Sequence, residues 1–412
     1  MRRTGVWENQ NFRRLWTAGI VSSFGTDITI NAFPFTAILL LDATPWHIGL
    51  LRIATMAPAF VAALFVGAWV DRVRRRPLMI AADWVRAAIL LSIPLAAWLS
   101  TLTFTHLMIA AALLSVASTF FDIADRSMLP SLVGREDLAD ANRMLTAGNT
   151  VAETSGFAVS GWLIQLFTAP GALLIDAGTY VWSAITLRGI DREVEPTDSA
   201  DQRDHLLREM LAGLRYVRRN AVLIGLASSI FLMSFSMQLV GTVYLLFVNK
   251  EVGFNPGVLG LIFATGGIFS LIASLTGGRL ITAIGIGPLL IASLLLVSAG
   301  QSLTALATSA TLFAVVVMVM QQATDFPWTL YEIIQVTIRQ SVTADEWQGR
   351  MNGSFHIIEF GGYLLGAIVG GWLGATFGLR ETILVGSAGI AVAALPLLFS
   401  PIRNLRALPT AN

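Results

Sequence analysis

The chain has 412 residues, of which 55% are hydrophobic and only 13% charged, and its formal net charge is +1. A soluble protein is roughly a quarter charged because its surface needs it, so this composition belongs to a membrane protein. The absence of cysteine excludes disulfides, thiol catalysis and zinc–thiolate sites; the near-neutral balance points to no nucleic-acid partner; and the single lysine, Lys250, follows no glycine-rich loop, which excludes a P-loop ATPase.

Breaks at Gly, Pro and charge clusters divide the chain into twelve apolar stretches of spanning length. They lie near 15–41, 46–70, 78–99, 105–124, 144–168, 170–190, 221–248, 257–282, 287–307, 311–336, 351–376 and 380–400. The first reads as a span rather than a cleaved leader, because it is long, holds Asp27 and Asn31, and has no small-residue cleavage site after it. Arginines fix the orientation. Arg2, Arg3, Arg13 and Arg14, then Arg72, Arg74, Arg75 and Arg76, then Arg126, Arg135 and Arg143 all fall on one side, as do the many arginines near 188–219 and Arg279, Arg339, Arg350, Arg403 and Arg406. Only Lys250 and Arg380 fall on the other, so both termini are expected in the cytoplasm of a bacterial inner membrane.

In chain order, the first span carries Ser23, Asp27 and Asn31 on one stripe. Asp27 lies about 18 Å along the helix, near the midplane. A carboxyl there costs roughly 3 kcal/mol and is by default a functional residue, either for proton coupling and substrate contact or as a neutral hydrogen-bonder. After the second span, Gly67, Asp71, Arg72, Arg75 and Arg76 form a charged loop suited to pairing with a helix end on the inner face, which points to gating as well as to topology. Asp83 with Arg86, and Asp122 with Arg126, sit at pairing distance along a helix, and Asp176 lies near Tyr180. Glu153 in span five and Glu359 in span eleven lie at similar depths, and His356 can touch Glu359 as a proton relay, against the plainer reading of interhelical bonds. Residues 205–220 place Leu206, Leu207, Met210, Leu211, Leu214 and Val217 opposite a basic face, an amphipathic helix for the inner lipid surface. Gln238 in span seven is a substrate contact among soft methionines, or a packing choice. Span ten lines up Gln321, Asp325, Trp328 and Glu332, a face suited to an amphiphilic organic molecule; Glu332 lies near the inner end and reads as structural.

The halves repeat. Shifted by 211 positions, Gly49, Gly67 and Pro77 meet Gly260, Gly278 and Pro288; shifted by 210, Gly156, Gly161 and Trp162 meet Gly366, Gly371 and Trp372. This implies an N-terminal six-helix bundle over 1–190, a cytoplasmic linker over 191–220 and a second bundle over 221–412: an all-α membrane protein with twelve transmembrane helices in two pseudo-symmetric six-helix bundles. Small residues four apart, such as Gly362, Gly366, Gly370 and Gly374, let helices approach closely.

The stretch Gly67-Ala68-Trp69-Val70-Asp71-Arg72-Val73-Arg74-Arg75-Arg76 resembles the G-x-x-x-D-R-x-x-R-R signature of the major facilitator superfamily. Phe24-Gly25-Thr26-Asp27 with Phe33-Pro34, Phe121-Asp122 through Leu129-Pro130, and Gly349-Arg350 resemble the branch of that superfamily containing the enterobactin exporter and macrolide efflux proteins. Two features depart from it: span five has no proline in Gly156-Phe157-Ala158-Val159-Ser160-Gly161, and span four lacks an internal arginine. The resemblance implies a monomeric antiporter that exports a drug, siderophore or secondary metabolite against protons, with a role in antibiotic resistance. It expects no cofactor, and its partners are a small-molecule substrate, protons and membrane lipid. On this reading Asp27, Glu153, Asp325 and Glu359 couple protons, and Asp27, Asn31, Gln238, Gln321, Asp325, Trp328, His356 and Glu359 contact substrate. An uptake symporter or lipid transporter of the same fold is the alternative. An intramembrane enzyme is disfavoured, because neither H-E-x-x-H nor G-x-S-x-G occurs and His47, His106, His205 and His356 are not at metal-ligand spacing.

Overall fold

The computed structural model describes residues 6–70, 72–134, 136–191, 212–309 and 311–407. Among them the regular structure is entirely helical. The helices are α1 (Gln10–Leu40), α2 (Pro45–Val70), α3 (Arg75–Trp98), α4 (Phe104–Leu132), α5 (Leu138–Phe167) and α6 (Ala169–Leu187). After the linker come α7 (Ala221–Leu246), α8 (Pro256–Ile284), α9 (Ile286–Leu303), α10 (Leu312–Gln322), α11 (Asp325–Ser341), α12 (Gln348–Thr376), α13 (Leu379–Val392) and α14 (Leu395–Leu398). Together they make twelve crossings: α10 and α11 share the tenth, and α13 and α14 the twelfth.

Eight crossings are each long and apolar enough to span a membrane by composition alone. The four that fall short are α1, α5, α6 and the α10–α11 pair. These helices carry Asp27 and Asn31, Glu153, Asp176, and Asp325 with Glu332. The shortfall in apolarity thus marks the helices with polar interiors. Large apolar side chains stand open on the surface, with Leu312 79% and Leu275 74% exposed, as solvation by lipid tails requires.

Helix ends follow their residues. Asn9 accepts from the Asn11 and Phe12 amides at 3.0 and 3.2 Å and starts α1, and Asn220 accepts from the Val222 amide at 2.9 Å and starts α7. One residue, Thr168 at φ 66°, joins α5 to α6, and Phe377 with Gly378 at φ 108° joins α12 to α13. The two junctions are 210 positions apart, at the register of the repeat. The tenth crossing was expected to be continuous but turns at Ala323 and Thr324. Pro327 has no N–H to give the Ala323 carbonyl, and the Phe326 amide takes that oxygen instead at 3.2 Å.

The chain divides into two compact units. The first comprises Met1–Ala43, Ile53–Gln202 and Asn255–Leu261; the second comprises Thr44–Arg52, Arg203–Phe254 and Ile262–Asn412. Within the first, α1 packs on α5 and α6, and α3 packs on α4 and α6. Within the second, α7 packs on α12 and α13, and α9 packs on α11 and α13. The same four helix pairings therefore occur twice. Each unit has its own apolar core, around Phe12, Met79 and Phe121 in the first and around Leu226, Leu294 and Tyr331 in the second. Residues 192–211, which include the first part of the linker helix expected over 205–220, lie outside the described residues. Its last part, 212–217, is helical and rests on α12, where Tyr216 stacks on Trp347 with ring centroids 4.9 Å apart.

Candidate functional site

In the first unit, Asp27 is 7% exposed on α1, and its Oδ2 has no hydrogen-bond partner. It can lie there because α5 offers Gly156: a Cβ on that residue would stand 2.7 Å from the Asp27 Cβ. One turn along, Asn31 Nδ2 donates to Ser160 Oγ at 3.0 Å. Glu153, on the same face of α5 one turn before Gly156, is exposed yet within electrostatic reach of Asp27. The sequence stripe of Asp27 and Asn31 is therefore assembled against α5, and Glu153 stands beside it.

A second polar layer lies behind. Asp176 of α6 is fully buried and accepts from the Thr29 hydroxyl and from Thr179 Oγ1, the latter at 2.8 Å. Gly25 of α1 faces this carboxylate, leaving it room. Tyr180 Oη is 3.1 Å from Thr26 Oγ1. The ring of Tyr180 and that of Phe121 sandwich the Arg86 guanidinium at 4.2 and 4.0 Å, and Arg86 pairs with Asp83 as the spacing predicted. A cation this deep needs both a carboxylate and aromatic faces. Sequence spacing gave the Asp83–Arg86 pair but not the sandwich, whose parts come from α3, α4 and α6.

At the end of the first unit that carries the α2–α3 loop, Arg75 donates from Nη1 to the Ser127 carbonyl at 2.9 Å, and Arg76 donates from Nε to the Leu187 carbonyl at 3.1 Å. Arg76 also reaches the Arg188 carbonyl, so it caps the C-terminal end of α6, where the helix dipole is negative. Gly67 lies in α2 and Arg72 in the turn after it, while Asp71 lies outside the described residues.

In the second unit the stripe expected along one helix is parted by the turn at Ala323. Gln321 is buried on α10, and its Oε1 accepts from Tyr244 Oη at 3.2 Å. Asp325, at the start of α11, faces Gly266 of α8. Gln238 approaches Thr242 Oγ1 at 3.4 Å, and its stem lies against Gly366. Trp328 falls further along, beside Tyr331, with ring centroids 6.1 Å apart. There α7, α11 and α12 line a cleft of about 270 Å³, counting the solvent it opens to. Trp328, Glu332, Gln335 and Arg339 contribute from α11, Glu359 from α12, and Met233 and Ser234 from α7. His356 Nδ1 is 3.7 Å from Glu359 Oε2, the contact that their spacing predicted. Gln335 and Arg339 were not singled out from the sequence, where they read as an ordinary inner helix end; their meeting with Glu359 is a tertiary fact. No group of three or more His, Asp or Glu placed to hold a metal occurs among the described residues.

Comparison with known proteins adds the family. The family profile described as transmembrane secretion effector, of the MFS type, matches residues 5–411. The Enterobactin exporter EntS of Citrobacter koseri is 25% identical over 415 residues, covering 97% of this chain and 94% of EntS. The Multidrug efflux pump Tap of Mycolicibacterium fortuitum is 26% identical over 217 residues, 51% of this chain and 53% of Tap. Against the uncharacterized MFS-type transporter YkuC of Bacillus subtilis, 24% identical over 240 residues, the match likewise spans only about half, 56% of this chain and 55% of YkuC. Among solved structures, a bacterial homologue of the iron transporter ferroportin superposes with a TM-score of 0.75 at 17% identity, covering 94% of this chain and 98% of that one. That likeness is one of fold.

Proposed function

Because the chain belongs to the transmembrane secretion effector family of the major facilitator superfamily, and is thus a multi-pass membrane transporter and not an enzyme, we propose that it exports a small amphiphilic organic molecule in exchange for protons. The observation that carries this reading is Asp27: a carboxyl buried in a membrane helix, with one oxygen unpartnered and a glycine cut out of the facing helix to admit it. A residue kept only for packing has no need of a free oxygen. Loading a proton there changes the free energies of the transporter's alternating states unequally, which couples the gradient to movement of cargo. Export, rather than uptake, is supported by the full-length likeness to an enterobactin exporter and by the partial likeness to a multidrug efflux pump.

Glu153, Asp325 and Glu359 are the further carboxyls of this proposal. Asn31, Gln238, Gln321, Trp328 and His356 join Asp27, Asp325 and Glu359 as substrate contacts. Arg72, Arg75 and Arg76, with Gly67 and Asp71, gate the inner face: Arg75 and Arg76 tie α3 to the ends of α4 and α6, contacts that a change of state has to remake. The protein works alone in a bacterial inner membrane, with both termini in the cytoplasm.

The test is transport into everted membrane vesicles with an acid interior, using ethidium, erythromycin and enterobactin as probes. Accumulation of at least one, above vesicles lacking the protein and lost when an ionophore collapses the gradient, is the expected result. Accumulation of none, or accumulation indifferent to the gradient, overturns the reading.

A further inference from the structure

The cleft of the second unit has a charge balance that its own walls do not close. Glu332 and Glu359 lie within electrostatic reach of each other and share one arginine, Arg339, whose guanidinium is stacked over the Phe355 ring at 4.8 Å. The other titratable neighbours are His356 beside Glu359, and the tyrosines Tyr331 and Tyr363. Two carboxyl groups thus face one guanidinium.

Independent of the charges, the walls hold a buried acceptor that nothing occupies. Gln335 is 6% exposed; its Nε2 donates to Glu332 Oε2 at 3.3 Å, which leaves its Oε1 lining the cleft with no partner. Tyr331 is 1% exposed, and its hydroxyl, which lies by Ser229, can donate as well as accept. An unmet buried amide oxygen costs free energy unless something else meets it. The cleft therefore lacks a donor for Gln335 Oε1 and an acceptor for Arg339 Nε, and its carboxyl groups outnumber its guanidinium. The half-buried ring of Trp328 adds a face that attracts a cation. The enclosed space is small, enough for a group the size of an ammonium head, and the rest of a larger molecule lies outside it.

We infer that this cleft is a subsite for the ammonium head of an amine-bearing amphiphile. The carboxyl groups of Glu332 and Glu359 and Gln335 Oε1 receive its N–H groups, and the Trp328 ring takes its first methylenes. The inference rests on the transport reading above and names the substrate class for it.

The experiment measures equilibrium binding of phenylbutylamine and of phenylbutanol to the full-length protein in lipid nanodiscs, without any gradient. The two probes share one apolar body and differ in the head. The wild type is expected to bind the amine about tenfold more tightly than the alcohol, and Glu332→Gln or Glu359→Gln to bring the two close to parity. Equal binding of the two probes by the wild type, or a preference unchanged in both variants, overturns the inference. Should a variant bind neither probe, the wild type decides: the amine, and not the alcohol, protects Glu332 and Glu359 from labelling by dicyclohexylcarbodiimide, and absence of protection overturns the inference equally. Failure of gradient-driven export leaves this preference standing, and loss of the preference leaves export standing, so the two readings fail separately.

Discussion

Asn31 donates a 3.0 Å hydrogen bond to Ser160, joining α1 to α5 one turn from Asp27. Both partners are buried, at 6% and 1% exposed, so the bond has no water to fall back on. Ser160→Ala leaves the Asn31 amide without that acceptor and is expected to cost about 1–2 kcal/mol. Thermal denaturation of the purified protein checks this, with a lowered midpoint expected and an unchanged midpoint against it.

The first turn of α2 belongs to the second unit through a contact that only glycine permits. A Cβ on Gly49 would stand 2.6 Å from the Ala367 carbonyl oxygen and 3.3 Å from the Gly371 Cα, both backbone atoms. Backbone cannot rotate away as a side chain does, so Gly49→Ala has to push α2 off α12. The expected loss of stability is about 1–3 kcal/mol, read in the same thermal assay. Gly19, with open space around its Cβ position, is the control, and Gly19→Ala is expected to leave the midpoint unlowered.

Arg86 and Asp83 form a buried pair, and breaking it is worse than removing it. Arg86→Leu strands the Asp83 carboxyl at 0% exposure and is expected to cost about 3–5 kcal/mol. The double replacement Asp83→Leu with Arg86→Leu is expected to recover most of that. A double variant as unstable as the single one contradicts this account of the pair.

Much of the fold is legible in the chain because membrane physics writes it twice, in apolar length and in the side on which arginines fall. The 210-residue register read from Gly156 and Gly366 recurs in the matching junctions at Thr168 and Gly378. The polar residues were legible where one helix carries them, as with Asp27 and Asn31, or His356 and Glu359. What escaped has two causes. A proline three residues on breaks the tenth crossing at Thr324, so positions counted as one stripe separate into Gln321 beside Tyr244 and Trp328 beside the cleft. Partners on other helices, such as Ser160 for Asn31, Phe121 and Tyr180 for Arg86, or Glu359 for Arg339, follow no spacing along the chain. Arg339 in particular reads as a topology signal until α12 is seen beside it.

The coupling role of Asp27 is tested most directly by reconstituting Asp27→Asn beside the wild type in lipid vesicles and recording two fluxes of whichever probe the wild type carries. One flux is accumulation driven by a pH gradient; the other is counterflow, which exchanges labelled for unlabelled cargo and needs no net proton movement. The account predicts that Asp27→Asn keeps counterflow while accumulation falls to the level of protein-free vesicles. Accumulation at the wild-type level in Asp27→Asn contradicts it.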